Sequence, residues 1–139
     1  MSVTWVIDSS VGFAWVHPNQ ATPETDKLLQ EIEAGAAVVV PALWFIEMAN
    51  SLLVPQRRKK LTGAERKAAL EILSSMNFTV DDEAARMALN KTSELAEKYG
   101  LTVYDATYLE VALRRNLPLA SRDSALMGAA KRCGVRTQT

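Results

Sequence analysis

The sequence predicts an α/β protein, a short parallel sheet of four to five strands flanked by helices. Three observations predict it. Short apolar runs that lack strict polar–apolar alternation recur along the chain, and stretches of helical period separate them. Proline, glycine and capping side chains mark almost every junction between the two patterns. No linker or low-complexity stretch breaks the alternation, so residues 1–139 read as a single domain long enough to bury a real core.

Val3-Thr4-Trp5-Val6-Ile7 carries no charge and reads as a central strand covered on both faces. Asp8-Ser9-Ser10 stops it and offers caps to a helix starting near Val11 and ending at the His17-Pro18-Asn19 turn. Thr22 with Pro23 opens a second helix, whose buried stripe is Leu28, Leu29 and Ile32. Gly35 closes that helix, and Ala36–Val40 is a second buried strand ended by Pro41. Leu43 to about Leu53 is a very apolar helix with Pro55 placed beyond its end, and Arg57–Lys60 is a basic turn. Thr62 and Glu65 have capping-box spacing for a helix that turns Ala69, Leu70, Leu73 and Met76 inward. Phe78-Thr79-Val80 is a short strand, and Asp81 or Asp82 caps the next helix. There Ala85, Ala88, Leu89, Thr92, Leu95, Ala96 and Tyr99 fall at helical spacing, and Gly100 ends the run. A helix from near Tyr104 to Asn116 leads to a strand at Leu117–Ala120. Ser121-Arg122-Asp123 then enters a last helix, and Val135-Arg136 is the expected edge strand.

Composition narrows the function. Lys plus Arg and Asp plus Glu both number 16, so no overall field attracts a polyanion, although a local basic patch remains open. Cys133 is the single cysteine, which excludes an internal disulfide and suits a reducing cytoplasm. No basic-then-apolar leader precedes the first strand, and the apolar segment Val38 to Val54 is too short to span a bilayer. His17 is the single histidine, so neither a zinc site of nitrogen and sulfur ligands nor a Ser-His-Asp triad is supported. The glycines form no phosphate-binding loop. Trp5, Trp15 and Trp44 sit among apolar residues and read as core.

The carboxylates have a pattern of their own. Asp8 and Asp123 follow strands, Asp105 begins a helix three residues after Thr102, and Glu47 lies about a turn into the helix after the second strand. Each has an ordinary explanation as a helix cap or a surface charge. Together, however, a parallel sheet brings all of them to its carboxyl edge, where open α/β folds bind their ligands. Crowded carboxylates repel and raise one another's pKa. A divalent cation relieves this, and oxygen-only ligands favour Mg²⁺ or Mn²⁺ over zinc. Phosphodiester hydrolysis is the natural chemistry of such a cluster.

Val6-Ile7-Asp8-Ser9-Ser10-Val11, Pro41-Ala42-Leu43-Trp44 with Glu47, Ala49 and Asn50, Leu101-Thr102-Val103-Tyr104-Asp105-Ala106, and Leu117-Pro118-Leu119-Ala120-Ser121-Arg122-Asp123 occur in the order and at the spacing of PIN-domain ribonucleases. The chain resembles the VapC-type toxins of type II toxin–antitoxin systems along essentially its whole length. The resemblance implies a three-layer α/β/α PIN-like fold and a Mg²⁺-dependent endoribonuclease. It also implies a homodimer and a cognate antitoxin that blocks the cleft. Carried onto this chain, Asp8 and Asp105 are the principal metal ligands, while Glu47 and Asp123 bind directly or through water and orient the nucleophile. Ser10 and Ser121 match hydroxyl positions that hydrogen-bond the carboxylates; serine at 121 replaces the family's usual threonine but keeps the hydroxyl. Asn50 matches a polar position of the subfamily.

Arg57, Arg58, Lys59 and Lys60 are candidates for positioning RNA phosphates, with Arg114 and Arg115 beside them, against the ordinary reading of a solvated turn. Two other functions stay open. One is a PIN-like domain that serves as a binding or dimerisation module without nuclease activity. The other is a phosphoacceptor domain of similar topology, although serines follow Asp8 where that chemistry wants a second acid.

Overall fold

The computed structural model describes residues 3–138. Its central strand is β1 (Thr4–Ile7), with Val6 and Ile7 fully buried. β1 pairs in parallel with β2 (Ala37–Pro41) on one side and with β4 (Leu119–Ala120) on the other. β3 (Thr79–Asp81) extends the sheet beyond β2, and β5 (Thr137–Gln138) extends it beyond β4, giving the order β3-β2-β1-β4-β5. The strand order reverses at β1/β4, and the crevice of an open parallel sheet forms at such a reversal.

Right-handed crossovers decide where the helices go. Going from β1 to β2 to β3, the chain lays α1 (Ser9–Val16), α2 (Pro23–Glu33), α3 (Leu43–Arg57) and α4 (Gly63–Ser75) on one face. Going back toward β4 and β5, it lays α5 (Ala84–Met87), α6 (Ser93–Tyr99), α7 (Val103–Arg115) and α8 (Ser124–Arg132) on the other. The three-layer α/β/α arrangement expected from the sequence is the one observed. Trp5 and Trp44 are buried in one continuous apolar core, against which Trp15 is partly buried.

Local capping follows the sequence closely. Thr22 and Thr62 each form a reciprocal capping box, and Asp8, Thr102 and Asp123 cap α1, α7 and α8. Gly100 and Asn116 close α6 and α7 in the left-handed region.

Three expectations are corrected. Pro55 lies inside α3 rather than beyond it. It falls in the last turn, where it forfeits only the bond to the Ser51 carbonyl; the Arg58 amide still donates to the Val54 carbonyl at 3.1 Å, so the helix runs on to Arg57. The edge strand forms at Thr137–Gln138, two residues after the expected Val135-Arg136, because the Val135 amide is still engaged by the Ala130 carbonyl (2.9 Å) in the turn at Gly134 that closes α8. The third correction is one of register. Between α5 and α6 the residues Ala88–Thr92 form a π-helical turn. The wider turn advances the buried face, so Ala84, Thr92, Leu95 and Ala96 point inward while Leu89 is 94% exposed and Ala85 is exposed as well.

Candidate functional site

Each crossover helix starts at the carboxyl edge of the sheet, so the helix N-termini and the strand ends share that edge. Asp8 ends β1 and caps α1. Its Oδ1 accepts from the Ser10 hydroxyl (2.6 Å) and the Val11 amide (3.3 Å), and its Oδ2 accepts from the Ser121 hydroxyl (2.5 Å). The two serines are themselves held from the segment after β4. The Arg122 amide donates to Ser10 Oγ and the Asp123 amide donates to Ser121 Oγ, both at 2.9 Å. Asp8 therefore sits in a staple joining the two strands that flank the crevice. The staple reaches α3 too, since the Trp44 indole N–H donates to the Asp8 carbonyl at 3.1 Å.

Glu47 projects from α3, half-buried, and its Oε1 accepts from the Tyr108 hydroxyl at 2.5 Å. Asp105 lies in the first turn of α7. Its amide donates to Thr102 Oγ1 (3.0 Å), but the return bond that would complete a capping box is not formed, unlike those at α2 and α4. The Asp105 carboxylate is thus not committed to a capping box. Asp123 caps α8 by accepting from the Leu126 amide at 2.9 Å.

The electrostatics tie these side chains together. Burial raises the Asp8 carboxyl to about 6 against the pull of Ser10, Ser121 and the Val11 amide, and the charge of Asp105 adds to the rise. Burial also raises Asp105, followed by the charges of Asp123 and then Glu47. Burial and the neighbouring Glu47 carboxylate raise the Tyr108 phenol, with Asp8 and Asp105 contributing, so the phenol stays protonated and donates. Asp105 therefore feels the charges of Asp123 and Glu47, and Asp8 feels that of Asp105. Among the described residues no group of three or more His, Cys, Asp or Glu side chains stands close enough together to hold a metal ion as placed.

Asp81 provides the contrast. It too ends a strand and caps a helix, accepting from the amides of Glu83 (3.0 Å) and Ala84 (2.8 Å). Burial pushes its carboxyl up, but Arg114 and Arg115 outweigh that and hold it at about 2. Arg114 bridges Asp81 and the buried Glu110 at 2.8 Å each, and Arg115 reaches Asp81 at 2.5 Å. Arg114 and Arg115 are consequently engaged in a structural ion network and are not free phosphate ligands, which corrects their earlier reading. The opposite shifts of Asp8 and Asp81 separate a carboxylate buried with no cation beside it from one that two arginines neutralise.

Arg57, Arg58, Lys59 and Lys60 are all exposed at the far end of α3. At 1.5 Å rise per residue, that end lies about 15 Å along the helix from Glu47. They are not part of the carboxylate crevice. Asn50 is exposed one turn beyond Glu47. The sequence reading missed Tyr108 and the polar role of Trp44. The available signal for Tyr108 was its position three residues after Asp105, on the same helix face.

A short parallel sheet with a carboxylate-lined crevice at its switch point defines the class of protein. The family profile described as PIN domain matches residues 5–131, and the chain belongs to that family. Among solved structures it is similar to PAE2754 from Pyrobaculum aerophilum at 26% identity and a TM-score of 0.69, covering 99% of this chain and 92% of that one. It is also similar to VapBC-5 from Mycobacterium tuberculosis, a member of the VapBC family of toxin-antitoxin systems, at 25% identity and a TM-score of 0.54, with 97% of each chain covered. FitAcB from Neisseria gonorrhoeae shares the fold at 17% identity and a TM-score of 0.66, covering 97% of this chain and 96% of that one. No curated protein matches the chain by sequence. The family resemblance read from the sequence motifs is borne out.

Proposed function

We propose that this protein is a metal-dependent endoribonuclease that hydrolyses RNA phosphodiester bonds as the toxin of a toxin–antitoxin pair. The observation that carries the reading is the convergence of Asp8, Glu47, Asp105 and Asp123 on the β1/β4 switch point, where Asp105 is raised by burial and by the charges of Asp123 and Glu47, and Asp8 by burial with a smaller part from Asp105. Such clustering is costly for a fold and marks functional sites. The donor set fits a hard divalent cation, since every candidate ligand is a carboxylate oxygen. Asp8 and Asp105 would hold Mg²⁺, or Mn²⁺ in its place, and Glu47 and Asp123 would bind directly or through water.

When bound, the cation supplies charge that polarises the phosphate and makes water a better nucleophile. The chain's own part is positional. Ser10 and Ser121 fix both oxygens of Asp8, and the short β4 delivers Asp123 beside it. Glu47 and Asp123 would orient the attacking water and take up its proton. Exposed Arg57, Arg58, Lys59 and Lys60 are far enough from the crevice to track flanking RNA rather than the scissile phosphate.

An antitoxin partner is supported by the likeness to VapBC-5, which is described as a member of the VapBC family of toxin-antitoxin systems. A homodimer acting in the cytoplasm completes the reading. Among the described residues no helix is long and apolar enough to cross a membrane.

The direct test incubates the purified chain with labelled single-stranded RNA in millimolar Mg²⁺ or Mn²⁺ and in chelator. Cleavage that needs the cation and falls by several orders of magnitude in Asp8→Asn is the expected result. Cleavage that continues in excess chelator would overturn the metal mechanism. Absence of cleavage in every buffer, with the antitoxin removed, would favour the binding-module alternative.

A further inference from the structure

Tyr108 is wholly buried, yet its hydroxyl reaches a carboxylate that faces the crevice. The two residues are 61 positions apart in sequence and come from opposite layers, α7 and α3. A buried tyrosine needs a partner for its O–H, and many donate it to a backbone carbonyl. Here the partner is Glu47 Oε1, on a flexible side chain half-exposed at the crevice. One turn before Tyr108 on the same helix stands Asp105.

We infer that Tyr108 is a positioning residue that pins Glu47 through Oε1 and leaves Oε2 as the oxygen presented to the cation or the attacking water; this rests on the nuclease reading above. A free glutamate samples many rotamers, and a ligand that must be ordered on binding weakens the site. The hydroxyl of Tyr108 does that ordering in advance. The ring is locked by its burial, so it can hold the carboxylate in register with Asp105, which its own helix carries. Partners of this kind, which touch a ligand rather than the metal, typically change metal affinity or activity 10–100-fold when removed.

The purely structural alternative is that Tyr108 fills the core and Glu47 merely satisfies its hydroxyl. Tyr108→Phe separates the two, since it keeps the ring and removes only the donor. The measurement is isothermal titration of Mn²⁺ into the wild type, Tyr108→Phe, Glu47→Gln and the double variant, with a thermal melt of each in chelator. Tyr108→Phe is expected to weaken Mn²⁺ binding about 10-fold or more. In the Glu47→Gln background the same change is expected to cost nothing further, because the hydroxyl acts through that carboxylate. Unchanged Mn²⁺ affinity in Tyr108→Phe, with only a lowered melting temperature, overturns the inference and leaves the nuclease reading standing. So does an equal loss of affinity in both backgrounds. A wild type that binds no Mn²⁺ overturns both.

Discussion

Asp105 tests, at a single residue, whether the crevice carboxylates are caps or ligands. If Asp105 were a plain first-turn carboxylate, Asp105→Asn would cost ~0.3–1 kcal/mol through the helix dipole, with or without metal. Its carboxyl is raised by burial and by Asp123 and Glu47, so removing the charge relieves repulsion instead. The expected outcome is a variant as stable as the wild type, or more so, in chelator. Millimolar Mg²⁺ should raise the melting temperature of the wild type by mass action and scarcely move the variant. Asp81 behaves in the opposite way. Its folded pKa, about 2, is below the ordinary 3.8, so its contribution is fully present above pH 3.8 and is lost as pH falls through about 2. Asp81→Asn should cost about 2 kcal/mol at neutral pH and progressively less below pH 4, read by denaturant melts across that range.

At the scale of elements, the site depends on how closely α1 approaches α3. A Cβ at Gly12 would stand 2.7 Å from Trp44 Cζ2 and 2.9 Å from Met48 Sδ, so only glycine fits that crossing. Trp44 in turn holds the Asp8 carbonyl, and Glu47 follows it by three residues on the same helix. The crossing thus sets the separation of two crevice carboxylates. Gly12→Ala gains helix propensity of up to ~1 kcal/mol but overpacks by about 1–3 kcal/mol. The melting temperature should fall, and cleavage should fall further than the unfolded fraction explains. Gly128→Ala in α8 meets nothing within 4 Å and serves as the control, expected to be neutral or slightly stabilising.

At the scale of the whole molecule, α3 is more apolar than its buried face requires. Trp44, Met48 and Leu52 are buried, while Phe45 is 41% and Ile46 67% exposed, with Ala49 exposed and Leu53 half-buried along the same stripe. Positions spaced this way form one continuous face, and an exposed apolar face of that kind marks an interface. With the homodimer as its occupant, Ile46→Asp should shift the protein to monomer in size-exclusion chromatography with light scattering. The melting temperature of the monomer should be little changed, since the side chain is mostly in water. Persistence of the dimer would place the contact elsewhere.

How much of this was legible beforehand follows from the range of the forces involved. Strand burial, the Thr22 and Thr62 capping boxes, and the Asp8 and Asp123 caps depend on residues a few positions apart, so they could be read from the chain. The shared edge of Asp8, Glu47, Asp105 and Asp123 was legible as well, because parallel strands with right-handed crossovers leave few other arrangements. What a side chain pairs with across the fold was not. Arg114 and Arg115 looked like free cations until tertiary packing brought Asp81 to them from 33 and 34 residues away. Leu89 looked buried because a regular period was assumed through the Ala88–Thr92 turn, whose π geometry exposes it. Tyr108 drew no reading from the sequence, and only the docking of α7 against the layer carrying α3 brought its hydroxyl to Glu47. Periodicity and capping act within a turn or two of chain, whereas the partner of a buried charge is chosen by packing between distant segments.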